Sequence, residues 1–202
     1  MEEVMKQVEI TTRVLETLDS ITQKLEKQGF QIIRKSRVED EYLTQYQGTF
    51  EQKHILEMLS SSVLLRYLNA NGKITKKITY KQKTYQNEIV MTEEKINVNC
   101  DDLDTAKKLF LALHFRPLVK VCYDVIVFSN QKIELAFQNV ENLGLLVEYE
   151  NVKDFSDSTE EEIVLAKQQM LKEIKNLNIQ TTEEMDVKKA YELIQKQILS
   201  RR

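Results

Sequence analysis

Apolar residues recur at helical spacing in two stretches of the chain that align with each other without a gap. The matching apolar stripes are Leu18, Ile21 and Leu25 in residues 17–30, and Leu103, Ala106, Phe110 and Leu113 in residues 102–115. The first helix is expected to stop at Gly29, and His114 occupies the same place in the second. Because strand-like stretches precede and follow each helix, the pattern predicts two strand–helix–strand halves related by duplication.

Alternating and continuous apolar stretches predict about eight strands, most of them joined by short turns. These strands cover residues 8–15, 30–35, 62–68, 76–83, 89–98 and 118–128, and both sides of a turn at 142–144. Residues 69–72 and 142–144 contain the Asn and Gly residues that tight hairpins favour. We therefore expect an α+β fold built on an eight-stranded antiparallel β-barrel.

After the last strand the pattern changes to helix. Thr159 and Glu162 form a capping box, and a last helix is expected from about Asp186. Because no linker rich in Pro, Gly or Ser interrupts the chain, residues 1–202 are expected to form a single domain. Its barrel core covers about residues 5–155, and a C-terminal helical extension, at about 159–199, closes one mouth or one outer face of the sheet.

Composition limits the classes of function. The 202 residues carry a formal charge of −3, so there is no bulk attraction to nucleic acid, and any basic site must be a local cluster of Lys and Arg. Cys100 and Cys122 are too few for a disulfide framework or a zinc site and fit a reducing compartment. The chain contains no apolar run of about 18 residues and no signal-peptide pattern. We therefore expect a cytoplasmic protein with no membrane partner.

A lysine-rich hairpin is the first candidate for chemistry. Residues 73–83 contain five Lys residues together with Tyr80. Such a stretch is typical either of a nucleic-acid patch or of a hairpin whose inward Lys side chains bind a small anion. The acidic balance of the whole chain favours the second interpretation, and we expect no nucleic-acid partner.

The last predicted strand ends in two carboxylates, Glu148 and Glu150. Side chains alternate faces along a strand, so both project from the same side of the sheet and repel each other unless a cation lies between them. Glu9, Thr11 and Arg13 repeat this spacing near the N-terminus. The pattern fits a divalent metal ion beside a polyanion, and it also fits the solvated face of an edge strand.

Ionisable residues occupy alternating positions on many of the predicted strands. They are Glu9, Arg13, Arg66, Lys81, Lys83, Glu94, Lys120, Glu134, Glu148 and Glu150. If these side chains face water, they require no special explanation. If many of them face inward, the barrel has a hydrated lumen in which carboxylates suit Mg²⁺ or Mn²⁺, and Lys and Arg suit phosphate.

Several short motifs follow one another in a distinctive order between about Val8 and Val152. They are the strand that begins with Glu9, Asp40-x-Tyr42, Leu65-Arg66, Thr79-Tyr80-Lys81, Glu93-Glu94, a second helix closing in Phe115, and Leu143-Gly144 followed by Glu148-x-Glu150. This order resembles the CYTH superfamily, the triphosphate tunnel enzymes that include class IV adenylyl cyclases and thiamine triphosphatases. The resemblance implies a tunnel that binds a nucleotide or another inorganic or organic triphosphate together with Mg²⁺ or Mn²⁺.

The resemblance also implies roles for particular residues, although it assigns no catalytic residue. The phosphate-binding candidates are Arg13, Arg66, Lys81, Lys83 and Lys120. The metal-binding candidates are Glu9, Glu148 and Glu150. The other residues expected to line the tunnel are Thr11, Asp40, Tyr42, Glu94, Glu134 and Gln138.

The chain departs from the family pattern at several charged positions. Thr11 and Arg13 stand where the family has Glu and Lys, Leu68 where it has Arg, Tyr123-x-Val125 where it has Lys-x-Arg, and Gln138 where it has Asp. Preorganised charges act mainly on the transition state, so we expect triphosphate binding with slow or absent turnover.

Several functions and states remain open at this point. Adenylyl cyclase and triphosphatase chemistry need the same parts. The alternatives are a non-catalytic polyphosphate or nucleotide sensor that signals through the C-terminal helices, and a purely structural interaction domain. The oligomeric state is not determined by the sequence.

Overall fold

The computed structural model describes residues 7–86, 89–151 and 153–200, and for residues 61, 84–86 and 89–93 it describes the backbone alone. Residues 5 and 6 of the predicted barrel core, Val152 and the side chain of Glu93 lie outside this part of the chain. The strands are β1 (Val8–Arg13), β2 (Gln31–Thr44), β3 (Ser61–Ala70), β4 (Lys73–Gln86), β5 (Ile89–Asn99), β6 (Arg116–Ser129), β7 (Glu134–Val140) and β8 (Gly144–Asn151). The helices are α1 (Leu18–Lys27), α2 (Ile55–Ser60), α3 (Leu103–Ala112), α4 (Glu160–Asn176) and α5 (Lys189–Leu199).

The eight strands form one antiparallel sheet in the order β1-β8-β7-β6-β2-β3-β4-β5. The two predicted hairpins are confirmed: Asn71 and Gly72 turn the chain between β3 and β4, and Asn142 and Gly144 turn it between β7 and β8. All four residues have positive φ angles, from 53° to 95°. Gly adopts this region freely and Asn tolerates it, which is why these residue types occur there.

The two predicted strand–helix–strand halves are β1-α1-β2 and β5-α3-β6. Thr17 caps the start of α1, since its hydroxyl accepts a hydrogen bond from the Ser20 amide, and Asp102 caps α3 in the same way. Gly29 and His114 follow the two helices with φ angles of 82° and 64°. The predicted helix-stop role of both residues is therefore confirmed.

The sheet curls until its two edge strands approach each other. Lys95 Nζ on β5 lies 3.4 Å from Glu9 Oε2 on β1, yet no strand pairing joins β1 to β5 among the described residues. Instead, residues 180–187, which we call the strap, run along the free edge of β1. Its backbone hydrogen bonds are Leu15 N to Gln180 O (2.8 Å), Thr182 N to Arg13 O (3.0 Å), Thr11 N to Met185 O (3.2 Å) and Val187 N to Thr11 O (2.9 Å). The strap covers an edge that would otherwise expose unpaired backbone groups.

Three helices cover the outer face of the curled sheet. Helices α1 and α4 pack over β1, β7 and β8, where Ile10, Ile21, Phe137 and Ile174 are fully buried. Helix α3 packs more loosely over β3 and β4, and Ala106 is its single buried residue. The predicted α+β fold with an eight-stranded antiparallel sheet is confirmed.

The concave side of the sheet is filled by α2 and α5 along part of its length. Met58 of α2 and Ile194 of α5 are buried there against Val121 and Leu146 of the sheet. The sequence did not predict α2. It predicted α5 about three residues too early, because Asp186 belongs to the strap, where it pairs with Thr11. The helices of the described chain are all too short or too polar to span a bilayer.

Candidate functional site

The part of the concave side that the helices leave open is a cavity of about 460 Å³. This volume is within the usual range for a small-molecule site. Its polar lining residues are Glu9, Thr11, Arg34, Asp40, Arg66, Thr75, Lys77, Thr79, Lys81, Lys83, Lys95, Asn97, Glu148, Asp186, Lys188 and Lys189. Its apolar and tyrosine lining residues are Tyr42, Leu59, Leu68, Val121, Tyr123, Val187, Ala190 and Tyr191.

The cavity is strongly cationic although the chain is acidic. Eight Lys and Arg side chains and four carboxylates line it, an excess of four positive charges in a chain of net charge −3. Each carboxylate has a cation of the same cavity as its partner: Asp40 with Arg66, Glu148 with Lys189, Glu9 with Lys95, and Asp186 with Lys188. The other four cations of the lining are Arg34, Lys77, Lys81 and Lys83. A concave wall of one sign of charge concentrates ligands of the opposite sign.

Three of these cations lie on β4. Lys77, Lys81 and Lys83 face the cavity, whereas the intervening Ile78 and Tyr80 pack under α3 on the other face. The apolar residues therefore determine the direction of the lysines, since a strand alternates its faces. Residues two apart on a strand are separated by about 7 Å, so β4 presents a row of ammonium groups that can follow a chain of phosphates.

Asp40, which is buried, and Arg66, whose side chain is 30% exposed, form a bidentate pair in the cavity. Arg66 Nε and one terminal nitrogen donate to the two carboxylate oxygens of Asp40 at 2.7 and 2.6 Å, and the Tyr123 hydroxyl lies 3.3 Å from both groups. Burial by itself would lower the pKa of Arg66, but the hydrogen bonds to Asp40 and the nearby acidic groups raise it. Burial raises the pKa of Tyr123. This arrangement keeps Arg66 cationic, and Asp40 takes two of its five N–H donors.

Glu148 is held by a lysine from α5. Lys189 Nζ donates to Glu148 Oε2 at 3.0 Å and to Gln138 Oε1 at 2.5 Å, and it lies 5.1 Å from the centre of the Tyr123 ring. Burial tends to raise the pKa of Glu148, but the charge and hydrogen bond of Lys189 lower it below its ordinary value. The same pairing raises the pKa of Lys189 against the effect of burial. Both groups are therefore ionised at neutral pH.

A second lysine lies between the other two predicted metal-binding carboxylates. Lys95 Nζ is 3.4 Å from Glu9 Oε2 and 3.9 Å from Glu150 Oε1. Glu9 and Glu150 are direct partners across the β1–β8 pairing, which brings their side chains to one face. The cation that the sequence placed between paired carboxylates is thus supplied here by the chain itself.

The structure brings together some of the predicted phosphate-binding residues and not others. Arg66, Lys81 and Lys83 line the cavity. Arg13 lies outside it in ion pairs with Glu184 and Glu192. Lys120 is exposed on the opposite face of β6 from the buried Val119 and Val121. The apolar neighbours of Lys120 take the inward positions, so its own side chain faces out.

The predicted acidic and other lining residues are divided in the same way. Those that line the cavity are Glu9, Glu148, Thr11, Asp40 and Tyr42. Gln138 is buried beside the cavity and contacts Lys189. Glu150 lies near the rim with its side chain 41% exposed, Glu134 is exposed, and Glu94 faces away because its neighbour Lys95 faces in.

Five cations of the site were missed by the sequence-based analysis: Arg34, Lys77, Lys95, Lys188 and Lys189. Lys77 and Lys95 had a usable signal, because each lies two residues along its strand from a residue that faces the cavity, and Arg34 lies six residues from Asp40 on β2. Lys188 and Lys189 had none. Their positions depend on the strap. The strap pairs with β1, from which it is separated by most of the sequence.

Oxygen ligands suit Mg²⁺ and Mn²⁺, but in this structure the acidic side chains do not converge on one point. Among the described residues, no group of three or more His, Cys, Asp and Glu side chains could hold a metal ion. Glu148 and Glu9 each have a lysine as their closest cation. In this arrangement, the residues present do not fit a divalent cation.

With the geometry established, the chain can be compared with known proteins. No family model matches it. It is 28% identical, over 175 residues, to a Methanocaldococcus jannaschii protein named "Putative adenylate cyclase", and the match covers 87% of this chain and 91% of the relative. The resemblance to the CYTH superfamily is confirmed.

Solved structures of similar fold cover nearly the whole chain. The PH1819 protein of Pyrococcus horikoshii has a TM-score of 0.70 and 22% identity, and the match covers 97% of this chain and 99% of that one. A Hippeastrum protein described as a "Putative adenylyl cyclase" with a dominant triphosphatase activity has a TM-score of 0.62 and 12% identity, with 95% and 96% covered. At these identities the two structures support the fold.

Proposed function

We propose that this chain binds a nucleotide or another organic triphosphate in the cationic cavity. The observation that carries the proposal is the excess of four positive charges, three of them in a row on β4. A polyphosphate chain lying along β4 is within reach of Lys77, Lys81 and Lys83, with Thr79 between the first two. The relatives described as adenylyl cyclase and triphosphatase support a triphosphate as the ligand.

The apolar part of the cavity favours an organic triphosphate over an inorganic one. Tyr42, Leu68, Tyr123 and Tyr191 line it, and their rings and methyl groups offer a surface for a base or another flat group. An inorganic triphosphate has no group that could bury this surface. The phosphate chain then lies among the lysines of the cavity, and the organic group lies against these apolar and tyrosine side chains.

Turnover is proposed to be slow or absent. As a cyclase, the protein would align a ribose 3′-hydroxyl with the α-phosphorus, and pyrophosphate would leave. As a triphosphatase, it would align water with the terminal phosphorus. In either case Arg66 is already engaged by Asp40 and Glu148 by Lys189, so fewer groups can respond to charge that develops in the transition state. This favours the alternative of a binding protein with weak catalysis or none.

Dependence on Mg²⁺ or Mn²⁺ is an expectation that comes from the sequence and its resemblance to the CYTH superfamily alone. The described side chains do not form a metal site, whereas cellular triphosphates commonly carry Mg²⁺ when they bind. The protein alone therefore gives no support for a resident ion, and the metal has to be varied independently of the ligand.

Calorimetric titration tests the proposal directly. Purified protein is titrated with ATP, thiamine triphosphate and tripolyphosphate, each with Mg²⁺, with Mn²⁺ and with EDTA, and the mixtures are assayed for cyclic AMP, pyrophosphate and phosphate. We expect saturable binding, tighter for the organic triphosphates, and turnover well below about 10 per second. Failure of every ligand to bind under all three conditions would refute the proposal and leave a structural role.

A further inference from the structure

The carboxylates on the β1–β8 side of the cavity are each in contact with an ammonium group of the chain. Glu148 contacts Lys189 of α5, and Glu9 and Glu150 share Lys95 of β5. Neither lysine comes from the strand that carries the carboxylate. Such a cation, held between acidic groups and facing the ligand space, occupies the kind of position in which a bound metal ion acts.

Lys189 is the better placed of the two. Its side chain is 17% exposed, and its Nζ donates to Glu148 and to the Oε1 of Gln138. An ammonium group has three N–H donors, so these two contacts leave one for a ligand oxygen. Lys189 also lines the cavity, which places this remaining donor within reach of the ligand.

The strap determines the position of Lys189. Thr11, the strand partner of Glu148, also pairs with the strap through the hydrogen bond from Val187 N to Thr11 O, two residues before Lys189. The backbone of Lys189 is therefore tied to the same part of the sheet as the carboxylate that its side chain contacts. A cation held in this way loses little freedom when a ligand binds.

We propose that Lys189 is a tethered cation that takes the place of a divalent metal ion at Glu148, so that the cavity binds a triphosphate without added metal. It neutralises the carboxylate that would repel the phosphates, and it donates to a phosphate oxygen. Gln138 supports this arrangement because it accepts a hydrogen bond from Lys189 without adding a negative charge. The inference rests on the proposed function and specifies how that site works.

The first test is calorimetric titration of the wild type with tripolyphosphate in EDTA and in Mn²⁺. We expect the dissociation constant in EDTA to lie within about threefold of that in Mn²⁺, a difference of less than about 1 kcal/mol. Binding in Mn²⁺ that disappears in EDTA overturns the tethered cation and leaves the proposed function standing. Absence of binding in both, for ATP and thiamine triphosphate as well as for tripolyphosphate, overturns the proposed function itself.

The second test uses the variant Lys189→Met. Loss of a hydrogen bond to a charged group should weaken binding of tripolyphosphate in EDTA by about 10- to 100-fold. Mn²⁺ should restore much of this affinity, since the vacated space beside Glu148 and Gln138 is lined by oxygen atoms. Unchanged affinity in EDTA, or no recovery with Mn²⁺, contradicts the proposal.

The double variant Lys189→Met with Glu148→Gln keeps the test valid if the single variant does not fold. It removes one charge of each sign and leaves no unpaired buried carboxylate. If the Glu148–Lys189 pair contributed only to stability, replacing both residues would not change the affinity for the ligand. The proposal instead expects binding weakened by about 10- to 100-fold and insensitive to Mn²⁺. Wild-type affinity in this variant overturns it.

Lys172→Met is the matched control. Lys172 is exposed on α4, away from the cavity residues, and its replacement by Met removes the same charge. The affinity of this variant for tripolyphosphate should equal that of the wild type in both EDTA and Mn²⁺. A loss like that of Lys189→Met would show that total charge, and not the position of Lys189, determines binding, which also overturns the proposal.

Discussion

Two walls of one cavity differ in how their charges are balanced. On the β1–β8 wall, Glu9 and Glu148 are neutralised by Lys95 and Lys189, which come from other elements. On the β4 wall, Lys77, Lys81 and Lys83 add positive charge beyond what the four carboxylates of the cavity balance. The carboxylates of the first wall are neutralised by lysines of the chain, whereas the β4 wall contributes three lysines to the cavity and none of its four carboxylates.

This difference separates two roles of charge inside a small fold. A buried pair costs stability when one partner is removed, because the other is left uncompensated. A cation that faces an open cavity keeps its water and costs the fold little, so it can bind a ligand. Charge pairs should therefore control stability, and the lysine row should control affinity.

The largest expected effect is a loss of protein stability when Asp40 loses its partner Arg66. Its relative exposure is 3%, and Arg66 binds both of its oxygens, so Arg66→Ala should lower the free energy of unfolding by about 3–5 kcal/mol. Urea denaturation measures this loss. Arg66 was predicted as a phosphate-binding residue, and its contact with the buried Asp40 adds a role in stability.

The control for this prediction is the double variant Arg66→Met with Asp40→Leu. Replacing both charges with apolar groups removes the uncompensated carboxylate, so much of the lost stability should return. If Arg66→Ala lowers the free energy of unfolding by less than about 1 kcal/mol, the Asp40–Arg66 pair behaves as a solvent-screened ion pair. Charge pairs and the lysine row would then not differ in their effect on stability.

The next effect concerns affinity. Lys77→Ala should weaken triphosphate binding by about 1.5–3 kcal/mol, because it removes a charged donor, while the free energy of unfolding changes by less than about 0.5 kcal/mol. Calorimetric titration and urea denaturation of one preparation measure both quantities. Lys120→Ala on the outer face of β6 provides the contrast, with no change in affinity expected. Equal losses in the two variants would mean that the cavity is not the binding site.

The smallest effect is the pH dependence of the Glu148–Lys189 pair. The folded protein lowers the pKa of Glu148 below its ordinary value of 4.5, so the stabilisation is present above that value and is lost as the pH falls through the folded pKa. Between pH 7 and pH 3, the wild type should lose about 1–2 kcal/mol more stability than Glu148→Gln. Denaturation at several pH values checks this. If the free energy of unfolding of the wild type and of Glu148→Gln falls equally with pH, Glu148 and Lys189 are not ionised as described.

Much of the fold could be predicted because its signals are local. The alternation along β8, the caps at Thr17 and Thr159, and the turns at residues 69–72 and 142–144 act within a few residues. The order of the motifs supported the same antiparallel eight-stranded sheet. The strand at 30–35 was predicted too short, since the polar residues of β2 up to Asp40 give it little apolar alternation.

The site was predicted only in part. The alternation of side chains along a strand defines two faces of the sheet but does not show which face lines the cavity. On the predicted strand 89–98, Ile96 and Val98 alternate with polar residues, yet these two apolar side chains are exposed and Lys95 and Asn97 face the cavity. On β6 the apolar residues face inward and Lys120 faces out. The helices that pack on each face decide between the two, and those contacts join residues far apart in sequence.

The sequence by itself determined the strand and helix periodicity, the hairpin turns and the supply of carboxylates and cations, because these depend on neighbouring residues. Only the tertiary structure decided which charges meet. The strap pairs with β1 and brings Lys189 to Glu148, and the curl of the sheet brings Lys95 to Glu9. The pairing of the strap with β1 closes the chain over most of its length, and the two lysine contacts join residues 41 and 86 positions apart. No local pattern could therefore reveal that the cations beside the predicted metal carboxylates are lysines of the chain itself.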